Sequence, residues 1–161
     1  MGKEKFPVTQ AVRVLRDGKC DFEPHLYEYE EKGGTKHSSR ELGADEHEVI
    51  KTIIVEDESK TPYVVLMHGD KEISLKQLAR DINVKLLKPC DPDTANRHTG
   101  YLVGGTSPFG TKRKMRVFME KTIAELTMIY INGGKRGFLV KIAPSEVIRV
   151  LKPELVNVAT D

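Results

Sequence analysis

Between Thr99 and Gly110 the chain reads Thr-Gly-Tyr-Leu-Val-Gly-Gly-Thr-Ser-Pro-Phe-Gly, and five of these residues are Gly or Pro. Neither a helix nor a regular strand runs through such a segment, yet Tyr101-Leu102-Val103 is apolar enough to be anchored in a core. Glycine admits positive φ and the close approach of another backbone or a ligand. A second stretch, Asn132-Gly133-Gly134-Lys135-Arg136-Gly137, has the same character. Two glycine-rich turns held between apolar strands are expected to form two rims of one pocket.

The segments around them set the fold class. Val49–Val55 and Pro62–His68 are strongly β-type runs, and Arg116–Met119, Met128–Ile131 and Phe138–Ile142 read as further strands. Phe22–Tyr29 alternates and carries Pro24, which suits an edge. Helices are expected over Thr9–Arg16, over Leu75–Ile82 behind a Ser74 cap, after Asp91-Pro92 and from Pro144, with a short one from Ser38 or Ser39 to Leu42. Short strands are expected at Val84–Leu87 and Val156–Val158, and Asn132-Gly133 is a hairpin turn signal. Helices and strands alternate irregularly, which predicts a mixed α/β (α+β) fold around a mainly antiparallel or mixed sheet. No linker or repeat divides the chain, so residues 1–161 are expected to form a single domain.

With 39% hydrophobic and 31% charged residues the composition is that of a folded globular protein. No apolar run approaches the roughly 18 residues that span a bilayer, and Met1–Lys5 is charged without a signal core. A cytoplasmic protein without membrane association is expected. Cys20 and Cys90 are far apart, and the histidines show no HxxxH or HExxH spacing, so neither a metal site nor a disulfide framework is expected. The net charge is only +2, but it is unevenly placed. From Thr94 to Met119 there is no acid, while Arg97, Lys112, Arg113, Lys114 and Arg116 all fall there. A basic surface beside a glycine-rich loop suits a polyanion, although a solvated charge run has the same pattern.

Lys51 interrupts the run Val49-Ile50-Lys51-Thr52-Ile53-Ile54-Val55, on the face of Val49, Ile53 and Val55. Its ammonium either snorkels to water, guards an edge strand or faces a functional cavity. Spacing alone leaves these open. Ser107 precedes Pro108 without a Gly-x-Ser-x-Gly elbow, which reads as a turn residue rather than a nucleophile. No Ser/His/Asp triad is legible, and neither cysteine has activating neighbours.

Ile50-Lys51-Thr52, the whole Thr99–Gly110 motif and Gly133-Gly134-Lys135-Arg136-Gly137, taken in order, resemble the YbaK family of free-standing aminoacyl-tRNA deacylases, relatives of the prolyl-tRNA synthetase editing domain. The likeness runs from the first helix through His25-Leu26-Tyr27 to Ile142-Ala143-Pro144. It implies hydrolysis of the ester between a wrong amino acid and the terminal ribose of tRNA, typically Cys-tRNA(Pro), without a cofactor. It implies that Lys51 and Gly104 are catalytic and that Tyr27, Tyr101, Gly105, Thr106, Ser107, Asn132 and Gly133 contact substrate. In this family the protein is not thought to supply a covalent nucleophile; the substrate's own thiol is proposed to attack. Arg97, Lys112, Arg113, Lys114, Arg116, Lys135 and Arg136 would hold the acceptor end of tRNA(Pro), with prolyl-tRNA synthetase a further candidate partner. Asn132 stands where the best-known members carry serine, which opens the specificity to alanine or another small residue. A tRNA- or synthetase-binding module without catalysis is the competing expectation.

Overall fold

A computed structural model describes residues 5–161; the reading of Met1–Glu4 as free of a signal core lies outside the described residues. The helices are α1 (Gln10–Asp17), α2 (Gly34–Leu42), α3 (Leu75–Asp81), α4 (Pro92–Thr99) and α5 (Pro144–Leu151). The strands are β1 (Phe22–Leu26), β2 (Val49–Asp57), β3 (Pro62–His68), β4 (Glu72–Ile73), β5 (Leu87–Pro89), β6 (Arg116–Glu120), β7 (Ile129–Lys135), β8 (Phe138–Ile142), β9 (Glu154–Val156) and β10 (Ala159–Thr160). Ser74 and Asp91 cap their helices as expected, and Thr9, expected as the first helical residue, is instead the N-cap of α1; each accepts a backbone N–H from the first turn of its helix.

One mixed sheet runs in the order β1-β8-β7-β2-β3-β6-β9, with β5 against the far end of β2 and a separate β4–β10 pair. The β2–β7, β3–β6 and β6–β9 pairs are parallel, and the others antiparallel. Alternation along β2 sends Ile50 and Ile54 to one face, where they pack with Ile129, Ile131, Phe138 and Val140 and with Ala11, Val12, Leu15 and Val147 from α1 and α5. Val55, Tyr63, Val65 and Met67 occupy the other face beneath Leu78 and Ala79 of α3. Each fully buried Leu, Ile or Phe contributes about 1.5–3 kcal/mol, so the two layers fix the sheet firmly. Towards β1 that second face carries His25, Lys141, Tyr130, Asn132 and Lys51, all only half-buried.

Several boundaries differ from expectation for local physical reasons. Helix α2 begins at Gly34, and Ser38 and Ser39 lie inside it, each hydroxyl bonding back three residues to Thr35 O and Lys36 O. The chain does not reverse at Asn132-Gly133. Strand β7 runs on to Lys135 through a bulge and turns at Arg136-Gly137, where Gly137 takes φ +79°. The strand expected at Val84–Leu87 starts at Leu87, and the one expected at Val156–Val158 ends at Val156. The strand expected to reach Tyr29 stops at Leu26, although Tyr27 N–H still donates to Gly137 O. No helix among the described residues is long and apolar enough to cross a membrane.

Candidate active site

Lys51 lies on a central strand, flanked by β7 and β3, so it guards no edge. Its side chain is 20% exposed, and its Nζ is 3.8 Å from Glu72 Oε1. Strands β2 and β7 pair at Val49–Tyr130 and Ile50–Ile131, and the next residues on the two strands are Lys51 and Asn132. Both therefore face away from the Ile50/Ile131 core, on the open half of the sheet. Register extends the same row to Met67 opposite Lys51, Leu139 opposite Asn132, and His25 opposite Leu139. Thr52, the next residue along β2, is on the Ile50/Ile54 face instead, and its buried hydroxyl has no hydrogen-bond partner among the described residues.

Asn132 joins the two glycine-rich segments. Its Nδ2 donates to Gly104 O at 3.1 Å, and its Oδ1 accepts from Gly134 N–H at 2.7 Å. Arg136 Nε donates to Val103 O at 2.9 Å, and its guanidinium lies 5.3 Å over the Tyr29 ring. A Cβ on Gly105 would fall 2.7 Å from Arg136 N, and one on Gly104, at φ +92°, would collide with the Tyr29 hydroxyl. The two turns are thus in direct contact and make one wall, not two separated rims. A cleft of about 470 Å³ borders the first turn alone, between Gln10, Tyr101, Gly110 and Lys112.

Several residues expected at the substrate have their side chains engaged within the fold. Tyr101 is buried in the core; its hydroxyl donates to Phe109 O, and burial pushes its phenol up to about 12. Ser107 is fully buried and its Oγ accepts from Phe109 N–H, as the turn reading of Ser107-Pro108 expects. The Phe138 ring covers Gly133, whose carbonyl accepts from the Thr9 hydroxyl. Leu102 and Val103 do not anchor the loop; they are exposed at 60% and 42%, and Tyr101 and Phe109 do the anchoring. Thr106 is half-buried, with its hydroxyl 3.5 Å from Leu102 O. Tyr27 is half-buried, its ring centroid 6.0 Å from that of His37, and burial raises its phenol pKa.

The basic residues divide into three groups. Lys112 and Arg113 donate backbone N–H groups to Thr99 O and His98 O, which docks the exposed Lys112–Lys114 loop on the end of α4 beside Arg97. Lys135 and Arg136 lie at the β7–β8 turn, where Arg136 latches the first glycine segment. Arg116 stands apart from a phosphate-binding role: both Nε and Nη2 bond Glu154, and its guanidinium covers the rings of Phe118 and Tyr63.

Among the described residues His47, His68 and Asp70 bring three ligand-type atoms within 4.8 Å of one another. The His47 and His68 rings stack in nearly parallel planes at 3.8 Å, so their in-plane lone pairs do not converge. His68 also spends both nitrogens, on His47 O and Thr122 Oγ1. The set braces the fold and is not shaped to hold an ion.

Glu72, Tyr29 and the Arg136 latch were not singled out by the sequence for the roles they take. Gly69-Asp70-Lys71-Glu72 reads as an ordinary polar turn, and nothing local ties it to Lys51.

The pattern of the aminoacyl-tRNA editing domain family matches residues 31–150. The chain is 24% identical over 153 residues to an Enterococcus faecalis protein named "Putative Cys-tRNA(Pro)/Cys-tRNA(Cys) deacylase EbsC", covering 94% of this chain and 93% of that one. It is 31% identical over 86 residues to a proline–tRNA ligase of Brachyspira hyodysenteriae, covering 53% of this chain and 15% of the ligase. A crystal structure described as a putative trans-editing enzyme for prolyl tRNA synthetase superposes with a TM-score of 0.81 at 17% identity, over 97% of this chain and all of the other.

Proposed function

This chain belongs to the aminoacyl-tRNA editing domain family and is an aminoacyl-tRNA deacylase, and from that premise we propose that it acts in trans on Cys-tRNA(Pro) with Lys51 as its essential charge. Residues 1–161 act as one domain in this reading. The observation that carries it is the placement of Lys51: a half-buried ammonium on a central strand, level with Asn132 on the neighbouring strand, whose amide is bonded to Gly104.

The chemistry asks little of the protein beyond position and charge. An aminoacyl ester is already activated, and orienting it and stabilising its oxyanion supply most of the rate. Water or the substrate's thiol adds to the carbonyl carbon, the bond to the ribose oxygen breaks, and that oxygen leaves with a proton. Lys51 stabilises the oxygen that gains charge. Glycine at 104 gives the Tyr29 hydroxyl its place against the loop, which fixes the exposed backbone at Gly104 where the ribose end is received. Arg97 and Lys112–Lys114 take phosphates of the acceptor strand, by a salt-sensitive attraction. Tyr27 lines the open half of the sheet, with Gly105 and Thr106 behind the wall.

Asn132 supports a second specificity. Both ends of its amide are already engaged with Gly104 and Gly134, so it narrows the site rather than lending it a free hydroxyl, which favours alanine as an alternative residue. Deacylation of tRNA(Pro) carrying Cys, Ala or Ser separates the two. Hydrolysis of one or more of the three, abolished in Lys51→Ala with the fold retained, is the expected result. Salt-sensitive tRNA binding without turnover establishes a binding module instead, and undiminished turnover by Lys51→Ala removes the lysine from the mechanism.

A further inference from the structure

The carboxylate beside Lys51 has no part in the mechanism above. Glu72 lies on β4, and its side chain is 76% exposed, with Oε1 3.8 Å from Lys51 Nζ. That separation is longer than a good hydrogen bond, so neither charge is fully spent on the other. The segment carrying Glu72 is nevertheless tethered on both sides. Glu72 and Ile73 pair with Thr160 and Ala159 of β10, Ser74 N–H donates to Val158 O, and the Lys71 ammonium meets the Asp161 carboxylate. On the other flank, Gly69 packs where a Cβ would lie 2.6 Å from Val49 O, Thr35 Oγ1 bonds Gly69 O, and His47 Nδ1 is 2.8 Å from Asp70. An exposed carboxylate is therefore held over the start of β2, in front of the lysine.

An aminoacyl ester presents two neighbouring features of opposite demand. Its carbonyl oxygen gains negative charge during hydrolysis, and its α-amino group, two bonds from the carbonyl carbon, is a cation when protonated. A cation on a central strand and an anion on a tethered segment, 3.8 Å apart, match that pair. We infer that Glu72 is a specificity-determining residue that receives the α-ammonium of the aminoacyl group while Lys51 meets the carbonyl oxygen, so that the site takes esters of unblocked amino acids and rejects N-acylated ones. The inference rests on the assignment of Lys51 to the ester. An N-acyl group removes the positive charge and leaves Glu72 facing a neutral amide.

The test compares hydrolysis of a free aminoacyl-tRNA(Pro) and of its N-acetylated form. The aminoacyl group is whichever of Cys, Ala and Ser the unaltered protein cleaves fastest, and kcat/KM is measured with equal tRNA. The unaltered protein is expected to cleave the acetylated substrate at least about ten times more slowly. Glu72→Gln is expected to lose about tenfold on the free substrate and nothing further on the acetylated one, which collapses the ratio. A merely structural Glu72 slows both substrates alike and leaves the ratio unchanged, and that result overturns the inference. So does equal cleavage of the two substrates by the unaltered protein. Lys51→Ala, run alongside, separates the failures. If it stays inactive while the Glu72→Gln ratio is unchanged, only the role of Glu72 falls; if it remains active, or if none of the three esters is cleaved, the reading beneath falls too. An unchanged thermal transition in Glu72→Gln shows that the exposed position carries no folding load.

Discussion

The Asn132 side chain donates Nδ2–H to the carbonyl of Gly104 while its Oδ1 accepts the N–H of Gly134, so one amide closes two glycine-rich segments that are 28 residues apart in the chain. Replacing it by alanine removes both bonds. The expected loss is about 1 kcal/mol per bond, read as a lower midpoint in urea. Asn132→Ser keeps a hydroxyl but does not span both partners. It is expected to cost stability as well, and to shift preference within the Cys, Ala and Ser panel of tRNA(Pro) esters; an unchanged preference would separate this residue from specificity.

Gly104 combines φ +92° with a Tyr29 hydroxyl lying where a Cβ would go. Gly104→Ala is expected to displace the loop at a backbone cost of about 1–2 kcal/mol and to lower deacylation by about tenfold or more. Tyr29→Phe removes the colliding oxygen, so the double variant is expected to recover part of the activity. Equal activity of single and double variants would show that strain at φ, not the phenol, governs this position.

The hydroxyl of Thr52 is buried without a partner among the described residues. Thr52→Val keeps the shape and removes the unpaired group, and is expected to raise stability by up to about 1 kcal/mol. Thr52 shares the Ile50/Ile54 face of β2, opposite Lys51, so deacylation is expected to be unchanged; a loss of activity would tie that face to the site.

Burial lowers the pKa of His68 from its ordinary 6.5, against the opposing pull of the His47 carbonyl that His68 hydrogen-bonds and of the nearby Asp70 and Glu120 carboxylates. The folded protein therefore binds the His68 proton less readily than the unfolded chain does. Its contribution is complete above about 6.5 and is lost progressively as pH falls below that value. Thermal unfolding is expected at lower temperature at pH 5.5 than at pH 7.5. His68→Gln, whose side chain does not titrate, should shrink that difference; His98, also lowered by burial and by Arg113, contributes the same sign and serves as the comparison.

Lys112, Arg113 and Lys114 sit on one exposed loop docked at the end of α4. Changing all three to alanine is expected to weaken tRNA binding and to reduce the slope of log affinity against log salt by about 2, at roughly 0.7 per phosphate contact on a single strand. Arg116→Ala is expected to leave that slope alone, because Glu154 already neutralises the guanidinium.

Much of the architecture is legible in the sequence, because it depends on local periodicity. Strands β2 and β3 are rich in β-branched and apolar residues, with Lys51 the one charge inside the Val49–Val55 run, and the caps at Ser74 and Asp91 act within their own first turns. Three errors share a cause. Ser38 and Ser39 were expected to cap a helix they sit inside, Asn132-Gly133 to turn a strand that continues, and Leu102-Val103 to anchor a loop that Tyr101 and Phe109 hold instead. In each case a contact distant in sequence, or the helix's own earlier start, outweighed the local preference.

What the amino-acid order determined by itself was the kind of strand that carries Lys51, the flexibility of the two glycine segments and the family they belong to, since each is written in consecutive residues. Only the tertiary structure decided that the two segments touch, that Asn132 bonds them, that Tyr101 and Ser107 serve the fold, and that the C-terminal strand holds Glu72 in front of the lysine. Those relationships come from strand register and from the packing of side chains far apart along the chain, and no local pattern encodes either.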